Sequence, residues 1–209
     1  MNFYLFGLQR SGTSFFGETL CLNFESKYLN ASGTWKHSLT VPQTIKETVD
    51  PVFVIFKNPY TWIESICYRD PADLLVTSAN TYALQEANTG ELVFGHDGVN
   101  LNRLAQLYED YANKWLDLSS ATVVLYEQII EQSFRDNFLN SLNWIRKSNR
   151  WIVPEPGSLF MSEGFESERI AYYLKQQPSR LDKEKIDIIN SIVSDTTFNQ
   201  LGYNKIVGG

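Results

Sequence analysis

An α/β fold is predicted for this chain, with a mainly parallel central sheet flanked by helices. Short apolar runs of strand length recur at residues 3–8, 52–57 and 122–126, rich in β-branched and aromatic side chains. Stretches with helical spacing separate them, and that alternation is what a parallel sheet with crossover helices requires. The first run breaks into a polar turn punctuated by glycine, and a second apolar stretch follows from Phe15 to Leu22, which reads as strand, phosphate loop, helix.

The elements follow in order. A strand at 3–8 leads through the loop into a helix from Thr13 to Phe24. An extended segment covers Tyr28 to Lys36, and a helix follows Pro42. The second clear strand covers 52–57, and a helix runs from after Pro59 to Arg69. Residues 70–100 show no clear period and contain Pro71, Gly90, Gly95 and Gly98. A stretch of that length is often a lid or binding loop. Leu104, Leu107, Tyr108, Tyr111 and Trp115 recur at helical spacing within 101–118, as a core-facing stripe would. A strand at 122–126 precedes helices at Phe134–Lys147, Glu168–Gln176 and Lys183–Val193, with Pro154-Glu155-Pro156-Gly157 as a loop between.

Composition fits a single domain over residues 1–209: 43% of the chain is hydrophobic, enough for a sizeable core, and no repeat, low-complexity tract or linker divides it. No run reaches the roughly 18 apolar residues of a membrane helix. A strand beginning at Phe3 leaves no room for a signal peptide, so a cytoplasmic location is expected. Cys21 and Cys67, both within apolar helical patterns, read as buried reduced thiols. The net charge of −6 argues against a nucleic-acid footprint. Residues 1–60 nevertheless carry five basic side chains against four acidic ones, whereas residues 61–135 carry four against eleven. An anion site near the N-terminus would lie in the least acidic part of the chain.

Two segments point to such a site. Gly7-x4-Gly12 has the spacing of a Walker A loop, but Thr13 stands where the lysine that reaches the β- and γ-phosphates of ATP belongs. The cation of this loop is Arg10. The second segment is the strand-end Lys57 of Lys57-Asn58-Pro59, with Ser65 eight residues on, along the following helix. Ligand groups in open α/β sheets sit at such carboxyl ends.

These segments resemble the sulfotransferases that use 3′-phosphoadenosine 5′-phosphosulfate (PAPS). Gln9-Arg10-Ser11-Gly12-Thr13-Ser14 resembles the family's 5′-phosphosulfate loop. Lys57-Asn58-Pro59 with Ser65 resembles its 3′-phosphate motif, which usually has arginine at the first position; lysine keeps the charge without the bidentate fork. Val123-Val124-Leu125-Tyr126-Glu127, with Trp115 before it, resembles the strand ending in Tyr-Glu. Leu201-Gly202-Tyr203 resembles the closing Leu-Gly-Tyr. The matches run in the family's order from residue 3 to 203. The glycine-rich Arg-Lys-Gly motif of the cytosolic branch is absent; Arg146, Lys147 and Arg150 lie in that region without aligning to it.

The resemblance implies a three-layer P-loop-type fold and transfer of a sulfuryl group from PAPS to an acceptor hydroxyl or amine, leaving PAP, with no metal. Arg10, Ser11, Gly12, Thr13 and Ser14 would hold the 5′-phosphosulfate, Lys57 and Ser65 the 3′-phosphate, and Tyr126 the adenine. Glu127 is expected to be structural. His37 would be the general base and its neighbour Lys36 would stabilise the bridging oxygen, a partial match to the family's Lys-Thr-His; Glu18 and Glu64 are rival bases. His96 reads as a loop residue. Two other functions stay open: a P-loop small-molecule kinase, which would need the missing lysine and a strand-end aspartate for magnesium, and a non-catalytic nucleotide-binding relative. The acceptor would be chosen by residues 70–100 and 154–167, which carry no motif.

Overall fold

In the computed structural model, residues 1–8, 10–29, 37, 39–67, 94–95, 98–99, 101–154, 167–175 and 178–207 are described. The chain forms strand β1 (Asn2–Gly7), helix α1 (Thr13–Asn23), β2 (Lys27–Tyr28), α2 (Gln43–Lys46), β3 (Val52–Phe56) and α3 (Pro59–Cys67). A two-residue ladder, β4 (Phe94–Gly95) with β5 (Gly98–Val99), precedes α4 (Leu101–Leu116) and β6 (Ala121–Leu125). Helices α5 (Tyr126–Ile130), α6 (Gln132–Ser141), α7 (Ser167–Leu174), α8 (Lys183–Ile192) and α9 (Asp195–Gln200) follow. No helix among the described residues is long and apolar enough to cross a membrane.

The main sheet has the order β2-β1-β3-β6 and all its pairs are parallel. Strand alternation explains its two covered faces. Phe3 and Leu5 of β1, Phe53 and Ile55 of β3 and Val124 of β6 point to one side, against Phe15, Phe16 and Leu20 of α1, Ile129 and Ile130 of α5 and Leu139 of α6. Phe6, Val52, Val54 and Phe56 point to the other, against α3, α4, α8 and α9. Val52 to Phe56 are therefore all buried, which is why β3 reads as an unbroken apolar run. Tyr108, Tyr111 and Trp115 are core residues of α4, as their spacing predicts. Helices on both faces of a parallel sheet match the expected α/β class.

Three sequence expectations need correction. The strand before Tyr126 ends at Leu125, and Tyr126 opens α5 directly, so Tyr126-Glu127 lies at a helix start. The helix expected at 134–147 stops at Ser141: Asn143 takes a left-handed φ of 50°, and residues 145–147 run beside the end of α1. There Glu25 N–H donates to the Ile145 carbonyl and Lys147 N–H to that of Asn23, each at 2.9 Å, and the second of these satisfies a carbonyl that α1 leaves over at its end. Cys21 is half-buried rather than buried; the Cys67 side chain lies outside the described residues.

Candidate functional site

The parallel register pairs Gly7 with Ile55 and Phe56 with Leu125. The chain segments beginning at Leu8, Lys57 and Tyr126 therefore leave the sheet at one edge, side by side. From β1 the connection runs through α1 on one face to β2; from β3 it runs through α3 and α4 on the other face to β6. Adjacent strands whose connections part to opposite faces open a crevice at their carboxyl ends, where α/β proteins bind ligands.

The loop between β1 and α1 fills that edge. It closes with Ser11 N–H donating to the Leu8 carbonyl at 3.1 Å. Arg10 has φ 66° and Gly12 φ 92°. For arginine that conformation costs about 1–2 kcal/mol, a strain that concentrates at ligand clamps. Such turns aim successive backbone N–H groups into one concavity. A Cβ added at Gly7 would lie 2.5 Å from Ser11 Oγ, 2.7 Å from Thr13 Cγ2 and 2.9 Å from the Ile55 carbonyl oxygen. The loop is thus folded tightly back over the strand end, and only glycine leaves room for it. Inside it, Ser11 Oγ is buried without a hydrogen-bond partner among the described residues.

The two helices that begin at this edge differ at their first turns. Gly12 is the N-cap of α1 and provides no side-chain hydrogen bond to it. At α3, Asn58 Oδ1 accepts from the backbone N–H groups of Tyr60 at 3.0 Å and Thr61 at 3.4 Å, ahead of a proline at the first helical position. The donors at the start of α3 thus have a side-chain acceptor already. The N-cap of α1 is a glycine and offers no such side chain, and the positive end of that helix faces the turn.

Lys57 follows β3 and is almost fully buried. Its Nζ lies 4.0 Å from the centre of the Tyr173 ring and 5.1 Å from that of Tyr126. Tyr126 in turn presses on Gly12, where a Cβ would come within 2.3 Å of the ring. Behind this layer, Glu127 ties three segments together: its Oε1 accepts Asn58 N–H at 3.0 Å and its Oε2 accepts the Tyr203 hydroxyl at 2.6 Å. The Tyr108 hydroxyl donates to the Lys57 carbonyl at 2.7 Å. Burial pushes the Glu127 carboxyl above its usual range, opposed by those two hydrogen bonds and by the Lys57 charge. Burial first, and Glu127 beside them, raise the Tyr108 and Tyr203 hydroxyls well above the usual tyrosine value.

His37 reaches the same edge from the segment after β2. Its Nδ1 lies 2.5 Å from the Gly7 carbonyl oxygen, and the residue is buried. A carbonyl only accepts, so Nδ1 carries the proton, and neutral His37 keeps its lone pair on Nε2. No protein-family model matches the chain, and no characterised protein or solved structure shows significant similarity to it.

Of the residues singled out from sequence, Arg10, Ser11, Gly12, Thr13, His37, Lys57 and Tyr126 cluster around the carboxyl ends of β1, β3 and β6. Ser14 stands in the first turn of α1. Ser65 is half-buried on α3, and its hydroxyl donates to the Trp62 carbonyl at 2.6 Å; it would have to turn away from its own helix to reach a ligand. Lys36 and His96 lie outside the described residues. Glu64, a rival base, is buried, with Oε1 accepting from Arg180 N–H and from Ser179 Oγ, and with Oε2 unpartnered. Lys147 lies at the far end of α1, its Nζ donating to the Cys21 carbonyl at 2.7 Å, and Arg146 stacks on Trp151. Neither sits at the strand carboxyl ends. Tyr173 is the residue that sequence reasoning passed over. Nothing marks it within its helical pattern, because its contact with Lys57 spans 116 positions.

Proposed function

We propose that the chain is a PAPS-dependent sulfotransferase with a three-layer P-loop-type fold. The observation that supports this best is the β1–α1 turn: a strained Arg10, a glycine cradle and a buried Ser11 hydroxyl with no partner among the described residues, all beside the buried Lys57. A buried polar atom without a partner is costly, and an anion or its hydration shell would give this one a partner. Thr13 in place of the Walker lysine favours an activated sulfate over ATP.

In this reading the N–H groups of the turn and of the first turn of α1, with Arg10, Ser11, Thr13 and Ser14, hold the 5′-phosphosulfate. Lys57, with Ser65, meets the 3′-phosphate, and the Tyr126 ring offers a face to the base. PAPS supplies an activated sulfuryl group. The chain supplies the proton acceptor: His37, its tautomer set by the Gly7 carbonyl, takes the acceptor's proton at Nε2. Lys36 is assigned to charge developing on the bridging oxygen.

Calorimetric titration with PAP, and with ATP and magnesium, tests the assignment on the wild type and on Arg10→Ala. PAP binding that weakens in the variant, without ATP binding, is the expected result. Binding of ATP, or of neither nucleotide, refutes it.

A further inference from the structure

We propose that Tyr173 is a positioning residue for the Lys57 ammonium, forming with Tyr126 a two-walled aromatic seat that aims the cation at a bound phosphate. The proposal rests on the preceding assignment of Lys57 to a nucleotide phosphate. A lysine ammonium is a point charge on a flexible stem and lacks the planar fork by which arginine fixes the direction of a phosphate contact. Here the tertiary structure provides direction from outside. The Tyr126 and Tyr173 rings meet edge to face, 5.2 Å apart at 85°, and Lys57 Nζ lies over both faces, 5.1 and 4.0 Å from their centres. An aromatic face attracts a cation through the ring's quadrupole and so favours one position of the ammonium.

The seat is held from three sides. Lys57 follows β3, and its own carbonyl is bonded by the Tyr108 hydroxyl. Tyr126 opens α5 and is fixed against Gly12 of the phosphate turn. Tyr173 is brought by α7 and is nearly buried. The ring on Gly12 and the ring under Lys57 touch each other edge to face, so the turn and the cation are spaced by packed side chains rather than by a flexible stem. The same phosphate-binding edge thereby gains a residue from the C-terminal part of the chain.

The test is a calorimetric titration of PAP into the wild type, Tyr173→Phe, Tyr173→Leu, and a Tyr173→Phe series bearing increasing numbers of ring fluorines. Phe keeps the face and should bind PAP as the wild type does. Leu should weaken binding about 3- to 30-fold, the range expected for a cation–aromatic contact at a desolvated site. Fluorination drains the ring face without altering its shape, so affinity should fall stepwise with each fluorine, and this series decides the matter if the Leu variant does not fold. In a Lys57→Met background, none of the Tyr173 changes should matter further. Unchanged affinity across the fluorinated series, or an equal loss in the Lys57→Met background, overturns the role of Tyr173 and leaves the nucleotide assignment standing. A wild type that binds no PAP overturns both.

Discussion

Gly12→Ala measures how tightly the β1–α1 turn is built. The new Cβ meets two separate obstacles. Gly12 has φ 92°, a left-handed conformation that costs an L-residue about 1–2 kcal/mol. The Cβ would also lie 2.3 Å from one Tyr126 ring carbon and 2.7 Å from the next. That ring cannot simply swing away, because Lys57 and Tyr173 pack against it. Forcing extra volume into a packed site typically costs about 1–3 kcal/mol. The sum is about 2–5 kcal/mol, a large share of an ordinary domain's stability. Urea denaturation of Gly12→Ala, Tyr126→Ala and the double variant separates the two terms. With the ring gone, Gly12→Ala should cost only its backbone part, about 1–2 kcal/mol. Equal costs in both backgrounds, or a loss below about 1 kcal/mol in the wild-type background, would show that the ring does not rest on the turn.

Glu127→Gln should change the pH dependence of stability. The folded carboxyl titrates above its reference value of 4.5, so its protonated form is the one folding favours. Its contribution is complete below about pH 4.5 and is lost as the pH rises through the folded value. Glutamine can accept Asn58 N–H and donate to the Tyr203 oxygen, so the stability difference should move in its favour as pH rises; a pH-independent difference in urea titrations would contradict this. The Tyr111 hydroxyl is buried in the core without a partner among the described residues, so Tyr111→Phe should leave unfolding free energy unchanged or raise it by up to about 2 kcal/mol. Asn58→Ala removes the α3 cap and should cost about 1 kcal/mol in thermal or urea unfolding, most of it recovered by Asn58→Ser. Under the proposed sulfotransferase assignment, His37→Ala should lower kcat by about 10²- to 10⁴-fold while PAP affinity holds; equal loss of both would give His37 a structural role at the Gly7 carbonyl.

Local chemistry made much of the fold legible. A strand buried on both faces must be apolar throughout, so β1 and β3 were readable as runs, and α4 announced itself by the spacing of Leu104, Tyr108, Tyr111 and Trp115. The turn between β1 and α1 was equally local, since Gly7 and Gly12 stand where crowding or a positive φ demands glycine. The two short helices that sequence reasoning passed over fail for different reasons. α5 begins on residues that read as the end of a strand, because Val123, Val124 and Leu125 extend the β-like pattern into Tyr126. α9 carried a usable signal: Ser194 accepts from Thr197 N–H and Asp195 stands in the first turn, the ordinary composition of a helix start.

Sequence alone determined which residues can turn the chain sharply and which runs must be buried, because steric freedom and apolarity belong to individual side chains. It could not determine what those residues meet. That Glu127 gathers Asn58 and Tyr203, that His37 turns its Nδ1 to Gly7, and that Lys57 lies against Tyr173 all depend on strand order and register. Contacts between segments 30 to 116 positions apart have no sequence period, since they exist only once the parallel sheet has aligned the carboxyl ends of β1, β3 and β6 at a single edge.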